Sequence, residues 1–257
     1  MKKTLLLFIL AFVCLSVFAA AKQKVETYNY PEGQTITVEG STDPKVIKSS
    51  DLYNVNVEGL RQFVLFTGAD RSDVDRIHPP VDPLSYNGID SPNICAFGCS
   101  GKVNVEISLS SGAIESFDVM PESKKPVHSI KKGKLYVQMS PRDRYIVKIN
   151  GNEKNLLLLF ANPLQSEMGV SEDDPNVIRF KAGKIYNDVT IMPRNGQTVF
   201  IEGGAIVMGH IEAKSVSCHI NGPGVLNCYP EKGIIKSNEE INNTRNLFIF
   251  FLQIFYL

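Results

Sequence analysis

The sequence predicts an all-β chain: an antiparallel β-sandwich followed by the opening coils of a stacked β-helix. Three observations carry that expectation. Beyond residue 21 no stretch keeps a helical apolar period. From residue 22 to residue 163 short runs alternate apolar and polar side chains, with turn residues between them. After residue 177 the runs shorten and are punctuated by glycine, and they recur at an interval of about 20 residues.

Residues 1–21 read as an export leader, with Lys2-Lys3, an apolar run over residues 5–18 and Ala19-Ala20-Ala21 as a small-residue cleavage site. A membrane anchor is the competing reading, but the run is shorter than the roughly 20 residues that span a bilayer. Cys14 is preceded by Phe12-Val13 instead of the small residues of a lipoprotein site. The expected location is therefore secreted or periplasmic, with no stable membrane insertion after leader cleavage.

An exported chain matures in an oxidising compartment, where Cys95, Cys99, Cys218 and Cys228 remain. Cys95-Ala96-Phe97-Gly98-Cys99 offers a small disulfide loop in which Gly98 allows the turn. A zinc site needs four ligands, and only His78 stands upstream of this pair. Cys218 and Cys228 read as small apolar interior residues. The 27 basic and 27 acidic side chains cancel, which argues against nucleic acid or an anionic membrane as partner.

Taken in order, residues 22–66 alternate, with Ile36 and Val38, then Tyr53, Val55 and Val57, on the apolar side. Residues 67–101 form a polar, proline-bearing segment with no strand period, either functional or loosely ordered. Its acids, Asp70, Asp73, Asp75, Asp82 and Asp90, invite a calcium reading, yet no DxDxDG run is present and a solvated loop explains them equally well.

Val103, Val105, Ile107 and Leu109 open the clearest alternation, followed by a strand over residues 114–119. Leu135, Val137 and Met139 make the next, then Tyr145, Val147 and Ile149. Leu156-Leu157-Leu158-Leu159-Phe160 is unbroken, as suits a strand covered on both faces. Ser110-Ser111-Gly112, Lys131-Lys132-Gly133 and Asn150-Gly151-Asn152 supply the turns. The expected domains are thus a sandwich over residues 22–163, a linker over 164–176 and an incomplete β-helix over 177–257.

The coil unit is Thr198-Val199-Phe200-Ile201, Gly203-Gly204, Ala205-Ile206-Val207-Met208 and Gly209. A shift of nineteen maps it onto Ser217-Cys218-His219-Ile220 and Gly224-Val225-Leu226-Asn227. Val189-Thr190-Ile191 maps onto His210-Ile211-Glu212 at a shift of twenty-one. Glycine lets a coil turn sharply, and no coil buries its inward residues until a neighbour stacks on it. Two hairpins of an ordinary β domain are the alternative.

In sequence order these features are a strand ending in Phe160-Ala161-Asn162-Pro163, then Phe180-x-x-Gly183-x-Ile185-Tyr186, the Gly196–Val207 run with Gly203-Gly204, and Ile220-x-Gly222-x-Gly224-Val225-Leu226. Over residues 103–226 the chain resembles the N-terminal part of the dextranase and isopullulanase family of glycoside hydrolases, and related polygalacturonase-like enzymes. The resemblance implies a β-sandwich before a right-handed parallel β-helix. It also implies hydrolysis of a polysaccharide by aspartates on later coils. Asn246-Leu247-Phe248-Ile249 resembles the start of another coil. The apolar residues 250–257 lack the polar outer cap of a solenoid end and read as a truncated or frameshifted terminus, or as a buried strand of the stack.

Glycosidic hydrolysis needs two flanking carboxyl groups, about 5 Å apart for retention and roughly 6.5–9.5 Å apart for inversion. The coil acids are Asp188, Glu202 and Glu212; at the nineteen-residue shift Glu202 meets Asn221, so no acids stack. Glu239-Glu240 would point to opposite faces of a strand. His78, His128, His210 and His219 belong to no hydrolase motif, and neither GxSxG nor GxxxxGK[ST] occurs. Tyr86, Tyr136 and Tyr186 are candidates for stacking on sugar, in a chain without tryptophan. No catalytic, cofactor-binding or metal residue is assigned, and no cofactor is expected. The expected function is the N-terminal portion of an exported glycoside hydrolase, inactive alone; the alternative is a non-catalytic exported carbohydrate- or surface-binding β module.

Overall fold

The computed structural model describes residues 24–36, 45–66, 93–213, 218–227, 235–237 and 248–250. The fold is all-β, with two short 3-10 turns and no α-helix among the described residues. No helix is long and apolar enough to cross a membrane among them. The chain begins with β1 (Val25–Thr27), β2 (Thr35–Ile36) and β3 (Lys45–Val46), then β4 (Tyr53–Val57), β5 (Leu60–Gln62) and β6 (Val64–Phe66). Next come β7 (Asn93–Cys99), β8 (Val103–Leu109), β9 (Phe117–Met120) and β10 (His128–Lys131). β11 (Lys134–Met139), β12 (Arg144–Ile149) and the long β13 (Asn152–Pro163) follow.

Two main sheets arise from these strands. One, ordered β10-β11-β8-β4-β5, is antiparallel throughout. The other is ordered β1-β7-β13-β12-β9, with β6 also beside β7. It departs from the antiparallel expectation at one pair: β7 and β13 run parallel, from Leu157 opposite Asn93 to Pro163 opposite Cys99. Their connection passes through five intervening strands, which is the long crossover a parallel pair requires.

Strands β4, β8, β11 and β12 alternate between buried and wetter positions, as one-face burial dictates. Their inward residues join Phe97, Leu157 and Leu159 in one core fed by both sheets. Leu158 and Phe160 face the other way, toward a second cluster with Ile94, Ala96 and Tyr28. The unbroken run in β13 is thus apolar because both of its faces are covered.

Strand β7 corrects two expectations. It lies within the segment read as strandless, and all seven of its residues are buried. With both faces covered it shows no polar alternation to read. It also separates Cys95 from Cys99. Four residues along an extended strand span about 13 Å between Cα atoms, twice what a disulfide tolerates. Both thiols are free and buried. Burial pushes the Cys95 thiol up, and the Cys99 thiol up to about 11. Asp70, Asp73, Asp75, Asp82, Asp90, His78 and Tyr86 lie outside the described residues, as do Cys228, Glu239 and Glu240.

Pairing becomes parallel in the last third, made of β14 (Val177–Phe180), β15 (Ile185–Ile191), β16 (Thr198–Ile201), β17 (Ile206–Ala213), β18 (His219–Asn221), β19 (Val225–Asn227), β20 (Ile235–Ser237) and β21 (Phe248–Phe250). One stack is β14-β16-β18; the other is β15-β17-β19-β21, with β20 also on β17. Phe180, Val199, Ile201, Val207, Ile211, Cys218, Ile220 and Leu226 form their shared core.

Register corrects the recurrence. Thr198 pairs with His219, a shift of twenty-one where nineteen was expected. Ile206 pairs with Val225, which is the nineteen expected for that strand. The corner between the two strands is therefore two residues shorter in the second coil. Thr190 pairs with His210, a shift of twenty instead of twenty-one. The missing residue is taken up by a register shift between Tyr186 and Val189, where Asp188 adopts φ +51°.

Candidate functional site

The first coil corner is packed closely by the N-terminal segment. Gly203-Gly204 was expected simply to turn the chain, but its surroundings are more demanding. A Cβ on Gly203 would lie 2.3 Å from the Tyr28 ring. Gly204 has φ +93°, and its Cβ would lie 2.3 Å from the Asn29 carbonyl oxygen. The N-terminal segment after β1 thus presses directly onto the coil corner.

Residues 164–176, expected as a linker, help hold that contact. The Gln165 side chain donates to Glu26 Oε1 at 2.5 Å, and its backbone N–H donates to Glu26 Oε2 at 3.0 Å. Gln165 Oε1 accepts from the Gly203 N–H at 2.9 Å. One glutamine therefore ties β1 to the coil. Ile206 and Met208 of β17 and Val225 of β19 complete the apolar cluster of Tyr28, Ile94 and Ala96. The β7–β13 sheet is consequently a middle layer. Neither Gln165 nor Tyr28 belongs to a local motif, so nothing in the sequence pointed to them.

The three coil acids sit in different surroundings. Glu202 Oε1 accepts from Arg179 Nη1 at 3.3 Å and lies 3.4 Å from Lys181 Nζ, while Oε2 accepts from the Ala182 N–H at 2.9 Å. Arg179 also stacks 4.7 Å from the Phe200 ring centroid and donates to the Ser171 carbonyl at 2.8 Å. Lys181 reaches Glu172 at 2.8 Å; that hydrogen bond holds the Glu172 carboxyl below its usual range and raises the Lys181 ammonium. Glu212 lies 3.2 Å from His210 Nε2, on the same strand face and in a poorly exposed position. Asp188 is exposed at the register shift.

No two of these acids occupy neighbouring positions in register. Asn221 pairs with Phe200, not with Glu202 as the nineteen-residue shift had placed it. Glu212 pairs with Lys236. Each of Glu202 and Glu212 thus serves a cationic or imidazole partner, an arrangement that braces a corner and does not flank a sugar bond. No cluster of three or more His, Cys, Asp or Glu fit to hold a metal occurs among the described residues.

The remaining candidates are placed as follows. Tyr136 donates to Glu106 Oε2 at 2.9 Å, beside Lys134 Nζ on Oε1 at 2.9 Å. Tyr186 meets Phe180 edge-on with centroids 5.0 Å apart, and its hydroxyl accepts from the Lys181 N–H at 2.9 Å. His128 packs edge-on against Phe117, and His219 is exposed on β18. These tyrosines and histidines are dispersed, without a common site.

No family model matches the sequence, and no curated protein does. Among solved structures the chain is similar to Dex49A from Penicillium minioluteum, with a TM-score of 0.54 and 18% identity over 79% of this chain. The match covers 50% of that chain, so the present chain spans about half its length. At this identity the likeness is one of fold, and it makes the all-β fold of this chain dextranase-like.

Proposed function

We propose that the chain is the N-terminal portion of an exported glycoside hydrolase acting on O-glycosidic bonds of a polysaccharide. In this reading residues 22–163 are a β-sandwich, residues 164–176 join it to the coils, and residues 177–257 open a right-handed parallel β-helix. The observation that carries it is the order of architectures: two sheets around one core, then two parallel stacks with shifts of nineteen to twenty-four residues. The likeness in fold to Dex49A is in keeping with this reading.

Alone, the chain is inactive in this reading. Hydrolysis requires two carboxyl groups across the scissile bond, and the described coil acids are engaged or isolated. In this reading the catalytic carboxylates belong to later coils of the hydrolase. Incubating the purified chain with dextran, pullulan and polygalacturonate tests this through release of reducing ends. No release above buffer is expected, and turnover of any of the three overturns the reading.

A further inference from the structure

The two main sheets meet at one end in a cluster of turns. There the turns before β4, after β8 and between β12 and β13 surround a hollow of about 260 Å³ lined by Asp51, Leu52, Ser110, Ser111, Ile149 and Asn152, among others. A second hollow of about 170 Å³ adjoins it, shares Asp51 and Leu52, and adds Phe66 and Asn155. Neither alone reaches the roughly 300–1,000 Å³ of a drug-sized ligand's cleft. The Tyr53 hydroxyl donates to the Asn155 carbonyl at 2.5 Å, joining the two sheets here.

The lining mixes apolar and polar side chains. Leu52 is an exposed large hydrophobic residue at 40%. It belongs to both hollows. Phe66 adds a half-buried ring in the second hollow.

Around these sit hydrogen-bonding groups not consumed by the fold. The Asp51 side chain is 87% exposed, and its partner among the described residues is Lys48 at 3.6 Å. The Ser111 hydroxyl, the Asn152 Nδ2 and the Asn155 side-chain amide have no partner among the described residues. Hydroxyl, amide and carboxylate groups over an aliphatic floor match the alternating C–H and O–H surface of a sugar. A single carboxylate is too few for a cation site. Lys48 lies 3.6 Å from Asp51 and 5.0 Å from the Phe66 ring centroid.

We propose that these two hollows bind two consecutive units of a neutral polysaccharide, with Leu52 beneath the rings and the Asp51 carboxylate accepting their hydroxyl hydrogens. The class of ligand rests on the polysaccharide reading above; the site itself rests on this geometry and needs no hydrolysis.

Isothermal titration of the full chain with isomaltotriose, maltotriose and trigalacturonate tests the assignment. Saturable binding of at least one neutral trisaccharide is expected, together with none of the uronate. Asp51→Ala and Asp51→Asn should each weaken that binding about tenfold or more, the range of a hydrogen bond to a charged group. Lys102→Ala, exposed at the end of β8 away from the hollow, should leave it unchanged. Because the Asp51 side chain is solvated, thermal unfolding of both variants should match the parent.

The assignment is overturned if neither neutral sugar binds, if the Asp51 variants bind as the parent does, or if trigalacturonate binds as tightly. Any of these results alongside a chain without turnover removes the site and leaves the hydrolase reading standing. Turnover of polysaccharide alongside Asp51-dependent binding does the reverse.

Discussion

Gly59 and Gly209 show how differently the antiparallel and parallel parts of the chain are held. Gly59 turns β4 into β5 with φ +82°, and an added Cβ would meet nothing within 4 Å. Gly209, in the middle of β17, needs no unusual φ, yet its Cβ would lie 2.0 Å from the Val189 carbonyl oxygen. At Gly59 glycine answers to its own backbone torsion. At Gly209 it answers to the backbone of the coil beside it. Register in the first part is set locally by turns, and in the second by contact between strands about 20 residues apart.

The sharpest way to break this comparison is a matched pair of substitutions. Gly209→Ala should cost about 4 kcal/mol or more, because neither backbone can move aside without unpairing β15 from β17. Gly59→Ala should cost about 1 kcal/mol, the penalty of a left-handed conformation with a Cβ. Urea unfolding measures both, and equal losses would contradict the distinction.

A smaller effect is expected where the two parts meet. Gln165→Ala should destabilise by about 1–3 kcal/mol, since it strips the Gly203 N–H of its acceptor and Glu26 of a donor. Hydrogen exchange at the Gly203 amide should accelerate while the core of β8 and β11 keeps its protection. Unchanged exchange at Gly203 would mean that apolar contact alone holds the coil corner.

The smallest effect belongs to the wet face of the antiparallel part. Hydrogen bonds from Lys134 and Tyr136 hold the Glu106 carboxyl below its ordinary value of 4.5. A depressed carboxyl contributes its stability above the unfolded-state value and loses it as pH falls through the folded-state value. The stability difference between the parent and Glu106→Gln should therefore be flat at neutral pH and shrink below about 4.5. Melting curves from pH 7 to pH 3 follow it, and a difference that grows on acidification would refute the sign.

Legibility followed burial. The strands β4, β8, β11 and β12 could be read because one face of each is wetter, which stamps a two-residue alternation on the sequence. The β13 run could be read because leucine fills both faces. β7 could not, since Ala96, Gly98 and two cysteines carry no such pattern and a proline-bearing segment precedes it. The proposed sugar site was equally hidden. Asp51, Ser111 and Asn152 come from three separate turns, the first two joined by the pairing of β4 with β8 and the third brought beside them by the packing of the other sheet.

The sequence by itself determined that the chain is all-β, that its last third changes from alternation to short glycine-punctuated strands, and that the second coil strand repeats at nineteen residues. Those properties are local: they follow from which side chains meet water and where glycine interrupts a strand. Only the tertiary structure decided that Cys95 and Cys99 share a buried strand. Only it decided that the first coil strand repeats at twenty-one residues and that Tyr28 and Gln165 clasp the Gly203 corner. Each of these depends on backbones far apart in sequence pressing together, a contact that no local pattern of side chains encodes.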